Sequence, residues 1–347
     1  LPTTPSEGRH EASAVASLEC QVKFAGSPTL ISLIVIANSF LMSSEALAQS
    51  RPDDGVFDPV KVINGTQISP EVCKEMEARQ TAVWVSVESE GYCLRYYAAG
   101  LKADGPNPLA VAWMPGDVMG GPKGVRHQAG LGVAAMIEQS QGQFGRYGVP
   151  FVFLARPGTY GSAGKHYDIR HTPLEAKLMA SAIDALKSRY HIGRWVLGGH
   201  SGGGTLAAEL LAQRKDLQCV VLSSSAAAYR ARLRARRWVN RLKTEVFFDP
   251  YDSLNQIPDQ PARRIFLISD PRDSNIPFST QELYFNGLKS HGHAAWLVPL
   301  TKARGPTYHS LVDFGQAAEG MCATGMATDV MLQTLRAMPM QSDRISN

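Results

Sequence analysis

The sequence lacks most of the features that would commit it early to a class. Only 19% of its 347 residues are charged and the net charge is +4, so no broad basic face is available for nucleic acid. The one dense run of charge is 230–243, which holds seven basic residues and no acidic one, leaving the rest of the chain slightly acidic. No C-x-x-C pair occurs, which removes the usual support for a structural zinc or a thioredoxin-like role. His291-x-His293 has no third ligand nearby, so no metal is expected either. No repeat of fixed period is visible, and no apolar run reaches the roughly 20 residues that a membrane-spanning helix needs. Apolar residues make up 44%, enough to exclude disorder as the general state and to fill one large core.

The first fifty residues stand apart. Lys23 precedes an apolar run from Leu30 to Met42, and Ala46-Leu47-Ala48 then supplies the small-x-small pattern of a signal-peptidase site. Residues 1–48 therefore read as upstream leader and signal peptide cut after Ala48, and the protein as exported, periplasmic or secreted. Residues 49–79 read as an N-terminal lead-in, with a helix over 70–79. Of the five cysteines Cys20 falls in the leader, and oxidising conditions would let the other four pair. Cys73–Cys93 is the expected bridge, tying the early helix to the hairpin that follows.

Thr81–Glu88 and Tyr92–Ala98 alternate apolar and polar residues around Glu90-Gly91, the mark of an antiparallel hairpin. Beyond it, short continuous apolar runs at 109–114, 150–155, 194–198, 218–223, 264–269 and 294–299 alternate with helical stretches such as 127–141, 173–190, 203–214 and 278–290. Buried strands alternating with helices predict an α/β fold with a mainly parallel sheet and helices on both faces.

In such sheets chemistry gathers beyond the carboxyl ends of the strands. The run after 194–198 reads Gly198-Gly199-His200-Ser201-Gly202-Gly203-Gly204, a G-x-S-x-G at a strand-to-helix turn. A nucleophile there takes strained backbone angles, and its glycine neighbours avoid collisions. Its hydroxyl sits at a helix N-terminus, where backbone N–H groups favour developing negative charge. Gly202 to Ala207 also fits G-x-G-x-x-A, a dinucleotide fingerprint, but the next strand ends in Ser223-Ser224-Ser225 rather than an acidic residue. A glycine-rich turn without chemistry is the third reading.

A serine nucleophile needs a base, and the base an orienting acid. The loop after 264–269 carries two carboxylates, Asp270 and Asp273. His309 follows the last strand and precedes a helix, whereas His127, His166 and His171 lie upstream of Ser201, and His291 and His293 flank the start of the last strand. His200 reads as structural, pointing into the core. The oxyanion donors would be the backbone N–H of Gly202 and that of Asp117, with Gly116 granting close approach and the Asp117 side chain pointing away.

Taken together these residues resemble the α/β-hydrolase superfamily, and within it the exported esterases and prolyl-oligopeptidase-like (dienelactone-hydrolase-like) serine hydrolases. G-H-S-G-G, Asp273-x-x-Ile-Pro, His309 and Ala155-Arg156-Pro157-Gly158-Thr159-Tyr160-Gly161-Ser162 carry the resemblance. It implies a hydrolase domain over 80–340 with an eight-stranded sheet, and a helical insertion serving as a lid at 226–260. It favours Asp273 over Asp270 as the acid, with Asp270 capping the strand exit. The Arg-rich start of the insertion reads as a solvated helix face, against a basic lid for an acidic substrate or membrane surface. Two departures bear on binding: Pro115-Gly116 stands where the family has His-Gly, and Ala155 where its turn has Asp. The expected activity is cleavage of a carboxylic ester through an acyl-enzyme on Ser201, with His309 as base, Asp273 as orienting acid and no cofactor. The alternatives are a small exported serine peptidase and a non-catalytic binding protein on a hydrolase scaffold. Expected partners are a small ester or short peptide, not nucleic acid, with no stable membrane insertion after signal cleavage.

Overall fold

A computed structural model describes residues 55–119 and 130–342. The leader, signal segment, Cys20 and His127 lie outside the described residues, and among those described no helix is long and apolar enough to cross a membrane. Eight strands form one sheet: β1 Ala82–Val87, β2 Glu90–Ala99, β3 Asn107–Met114, β4 Phe151–Leu154, β5 Ile192–His200, β6 Leu217–Ser223, β7 Arg264–Ser269 and β8 Ala295–Pro299. Their order is β1-β2-β4-β3-β5-β6-β7-β8. The pairings of β2 with β1 and β4 are antiparallel, and all others are parallel.

The apolar runs form strands because both faces of the sheet are covered. Along β5, Trp195 and Leu197 enter one core while Val196 enters the other. The same alternation holds in β3, with Ala110, Ala112 and Met114 against Val111 and Trp113. Helices Pro173–Arg189, Gly202–Gln213 and Phe278–Ser290 cover the first face, and Val133–Tyr147, Val312–Ala323 and Thr328–Ala337 the second.

Two boundaries differ from the sequence reading. The hairpin turns at Glu88-Ser89, both with positive φ, rather than at Glu90-Gly91. Gly91 instead lies within β2 under the Trp84 ring, where a Cβ would fall 2.0 Å from an indole carbon. The helix expected at 127–141 runs from Val133 to Tyr147, closed by Gly148 in the left-handed region. Its apolar positions allow either start, and Gly132, itself extended and pressed against the Gly55 carbonyl, precedes the first helical turn.

Two disulfides are present. Cys73–Cys93 joins helix Pro70–Ala78 to β2, and Cys219–Cys322 joins β6 to helix Val312–Ala323 across 103 residues. Both fit an oxidising compartment.

The insertion after β6 contains helices Tyr229–Ala235 and Arg241–Thr244 and a 3₁₀ segment, Pro250–Gln256. The solvated-face reading of its arginines needs correction. Arg234, Arg237 and Lys243 are exposed, but Arg232, Arg236 and Arg241 gather around the Trp238 ring at 5.1, 4.9 and 5.6 Å. A charge pattern alone does not reveal that a partly buried indole will collect the guanidinium groups around it.

Candidate active site

β5 ends at His200 and helix Gly202–Gln213 begins two residues later, so Ser201 takes the whole turn, with φ 52° and ψ −117°. A non-glycine residue in that region costs on the order of 1–3 kcal/mol, held here by the surrounding structure. The Ser201 N–H donates to the Ser223 carbonyl at 2.8 Å, tying the turn to β6. The glycines are steric requirements. A Cβ on Gly203 would lie 2.2 Å from the Met114 carbonyl oxygen, and one on Gly199 would lie 2.5 Å from the Gly203 backbone. β3 can therefore pass close under the turn.

The histidine arrives from the far end of the sheet. The Ser274 N–H donates to the Thr307 carbonyl at 2.9 Å, joining the loops that follow β7 and β8. His309 Nε2 then lies 2.9 Å from Ser201 Oγ, and His309 Nδ1 lies 2.7 Å from Asp273 Oδ2. The other Asp273 oxygen accepts the N–H groups of Asn275 and Ile276 at 2.8 and 2.9 Å. That is why an Asp precedes Ser-Asn-Ile-Pro here: one oxygen shapes the turn and frees the other for the imidazole. Asp270 faces elsewhere. Its carboxylate accepts from Arg272 at 2.7 and 2.9 Å and from the Ala303 N–H at 3.1 Å. Burial would raise the Asp270 carboxyl, but those hydrogen bonds hold it below its ordinary range.

His200 is buried as expected, yet it also lines the site, its ring 4.9 Å from that of His309. Burial and the neighbouring His309 push its pKa well down, so it is a neutral surface under the second imidazole.

Asp117 departs from expectation. Its backbone lies where the loop after β3 passes Ser201, with Gly116 close enough that a Cβ there would come 3.4 Å from Ser201 Cβ. Its N–H donates to no acceptor among the described residues. The side chain, however, does not point away. Oδ1 lies 1.9 Å from where a Cβ on Gly202 would stand. Three cations or donors hold the carboxylate there: Arg156 Nη1 at 2.7 Å, His171 Nε2 at 2.8 Å and, more loosely, Arg170 Nη1 at 3.5 Å. Burial alone would raise the Asp117 carboxyl, but His171 and Arg156 outweigh it and hold it well below the carboxylate range.

This supporting network went unread in the sequence. Arg156 is fully buried and forks onto Glu175 at 2.8 and 3.1 Å, while Glu175 also accepts the His171 N–H at 2.6 Å. A signal existed. Thr172-Pro173-Leu174-Glu175 has capping-box spacing, and Thr172 does cap the Glu175 N–H at 3.3 Å, but the glutamate turns to Arg156 rather than back to its own cap. His166, whose pKa is pushed down to about 3 by burial and then by Arg156, accepts the Val118 N–H at 3.2 Å and fixes the same loop. His291 Nδ1 donates to the Gly287 carbonyl of its own helix end and takes no part.

Above the serine lies a cleft of about 360 Å³. Ser201 and His309 form one side, and Asp117, Arg170, Arg232 and Trp238 form much of the rest. Among the described residues no cluster has the makings of a metal site.

No family model matches the sequence, and no curated protein does. Solved structures similar to the chain include an esterase of Pyrococcus furiosus, 14% identical with a TM-score of 0.47, covering 75% of this chain and 93% of that one. Est1E of Butyrivibrio proteoclasticus with ferulic acid bound is also 14% identical, with a TM-score of 0.45, over 74% and 96%. An acylaminoacyl peptidase of Pyrococcus horikoshii is 13% identical with a TM-score of 0.48, and there the match spans 76% of this chain but only 42% of the peptidase. The architecture is legible without them. An eight-stranded, mainly parallel sheet in the order 1-2-4-3-5-6-7-8, with the serine at the strand-to-helix elbow after β5, is the α/β-hydrolase fold.

Proposed function

We propose that this chain is a serine hydrolase that cleaves a carboxylic ester through an acyl-enzyme on Ser201. The observation that supports it is the continuous hydrogen-bond relay from Asp273 through His309 to Ser201, at 2.7 and 2.9 Å. In this reading His309 Nε2 takes the Oγ proton as the oxygen attacks the carbonyl. The imidazolium keeps its Nδ1–H on Asp273, which fixes the tautomer and stabilises the new charge. The tetrahedral oxyanion is received by the backbone N–H groups of Gly202 and Asp117. The nearby Asp117 carboxylate opposes it less than a bare one would, because Arg156, Arg170 and His171 face it. His309 then gives the proton to the leaving alkoxide, the acyl–oxygen bond breaks, and water repeats the sequence to free Ser201. An ester is the preferred substrate because its alkoxide leaves with less help from the acid than an amine does.

A fluorophosphonate probe tests the nucleophile. Wild type labels, and Ser201→Ala folds but does not label. Label retained in that variant rejects the assignment. Turnover of aminoacyl amides above that of 4-nitrophenyl esters would move the reading to a peptidase.

A further inference from the structure

Resting on that reading, we propose that the substrate carries a carboxylate close to its scissile carbonyl, and that Arg232 is the residue that receives it. Three guanidinium groups line the cleft that holds Ser201 and His309: Arg170, Arg232 and Arg241. Two of them already have carboxylates. Arg241 forks onto Glu245 at 2.6 and 2.7 Å, and Arg170 faces Asp117 at 3.5 Å.

Arg232 has none among the described residues. Its Nη2 donates to Asn275 Oδ1 at 2.8 Å and its Nε to the Asn275 carbonyl at 3.2 Å, and the guanidinium lies over Trp238 and Tyr229 at 5.1 and 5.9 Å. Among the described residues Nη1 makes no hydrogen bond. Burial of this cation among neutral hydrogen-bond partners is costly; the Asp117 charge offsets part of that cost, and Arg241 and Arg236 nearby add to it. An incoming anion would relieve that cost. The group is also held ready: Asn275 fixes the plane of the fork and the indole supports its face, so little is lost when an anion binds. Arg170 adds a second donor in need, because its buried Nε has no acceptor among the described residues.

The opposing charges limit what the anion can be. Asp117 lines the cleft, held by Arg156 and His171, while Asp273 is buried behind His309. A dianionic phosphate would meet the Asp117 carboxylate with a single uncommitted guanidinium to balance it. A monoanionic carboxylate matches that one charge. Arg232 and Ser201 line the same cleft of about 360 Å³, so carboxylate and scissile carbonyl belong to one small substrate. The carboxylate can belong to the acyl part or to the alcohol.

Arg232 also clamps the turn that carries Asp273, so the test must separate recognition from scaffolding. Paired esters do so. Mono-4-nitrophenyl adipate is compared with 4-nitrophenyl hexanoate for the acyl side, and 4-(hexanoyloxy)benzoate with phenyl hexanoate for the alcohol side, with spontaneous hydrolysis subtracted. In wild type kcat/KM favours the carboxylated member of at least one pair by about 10- to 100-fold, the worth of a charge-assisted hydrogen bond. In Arg232→Gln, which keeps a donor for Asn275, that ratio falls toward one. A purely structural role would lower both members together and leave the ratio standing, which rejects the proposal. So does a wild-type ratio near one in both pairs. So does inhibition of hexanoate cleavage by a phosphate monoester but not by adipate. Absence of turnover on every ester, with no fluorophosphonate label, fails the hydrolase reading itself instead.

Discussion

The Asp117 carboxylate occupies the space into which a side chain on Gly202 would grow, its Oδ1 lying 1.9 Å from an ideal Cβ at that position. The elbow glycine and the charged loop are thus a single steric unit, and the same Cβ would stand 2.6 Å from Arg156 Nη1. Gly202→Ala must therefore displace the carboxylate and its buried arginine together. Since both proposed oxyanion donors lie on these two residues, kcat/KM for a 4-nitrophenyl ester falls by about 10²- to 10³-fold. A thermal melt accompanies the kinetics. Activity within threefold of wild type would show that the hole is built elsewhere.

The same loop sets an acid limit on stability. The Asp117 carboxyl titrates below its unfolded value of 3.8, so its contribution is present above that pH and is lost as pH falls through the lower, folded value. Asp117→Asn removes this dependence. It also leaves Arg156 and Arg170 less compensated, which at neutral pH costs about 3–5 kcal/mol if the buried pair behaves as others do. Denaturant melts from pH 3 to 7 give the check. Curves that stay parallel for the two proteins at acid pH would remove Asp117 from the account.

The elements visible in the sequence were those whose cause is local. Six apolar runs marked the strands because both sheet faces are covered, and glycine spacing marked the elbow because the neighbouring backbones leave no room there for a Cβ. Asp273 differs from Asp270 in sequence only through the resemblance to α/β-hydrolases, yet the physical reason is local too: Asp273 shapes its own turn with one oxygen. The charged network behind Asp117 could not be read. It joins residues 117, 156, 170 and 171 from three loop segments to Glu175 in a helix, and nothing in the spacing of Arg156 and Glu175 announces a buried fork. Nor could composition tell which arginines of 230–243 face the cleft, since that depends on where Trp238 settles.

The two carboxylates of the β7 loop should separate cleanly by variant. Asp273→Asn keeps a turn-shaping oxygen but presents either a neutral acceptor or an N–H to His309, so the imidazole loses its fixed tautomer and its counter-charge. On the proposed mechanism kcat falls by about 10⁴-fold. Asp270→Asn instead frees Arg272 and weakens the hold on Ala303. It lowers the melting temperature while leaving kcat within a few-fold. Equal kinetic losses in the two variants would contradict this division.

Glu319 sets the opposite limit, as pH rises. It lies in helix Val312–Ala323 against β5, fully buried, with neither carboxylate oxygen hydrogen-bonded among the described residues and one of them 2.3 Å from where a Cβ on Gly198 would be. Burial raises its pKa well above 4.5 and so favours the neutral acid in the folded protein. A raised folded pKa contributes stability that is complete below 4.5 and is lost as pH climbs through the folded value, because the unfolded chain then ionises more easily. Wild type therefore loses melting temperature as pH rises above 4.5 toward the folded value. Glu319→Gln has no such proton to lose and keeps nearly the same shape, so its fall with rising pH flattens. Melting curves for both proteins from pH 4 to 10 decide it: curves that fall in parallel would mean that Glu319 titrates as in the unfolded chain and that a partner or solvent reaches it.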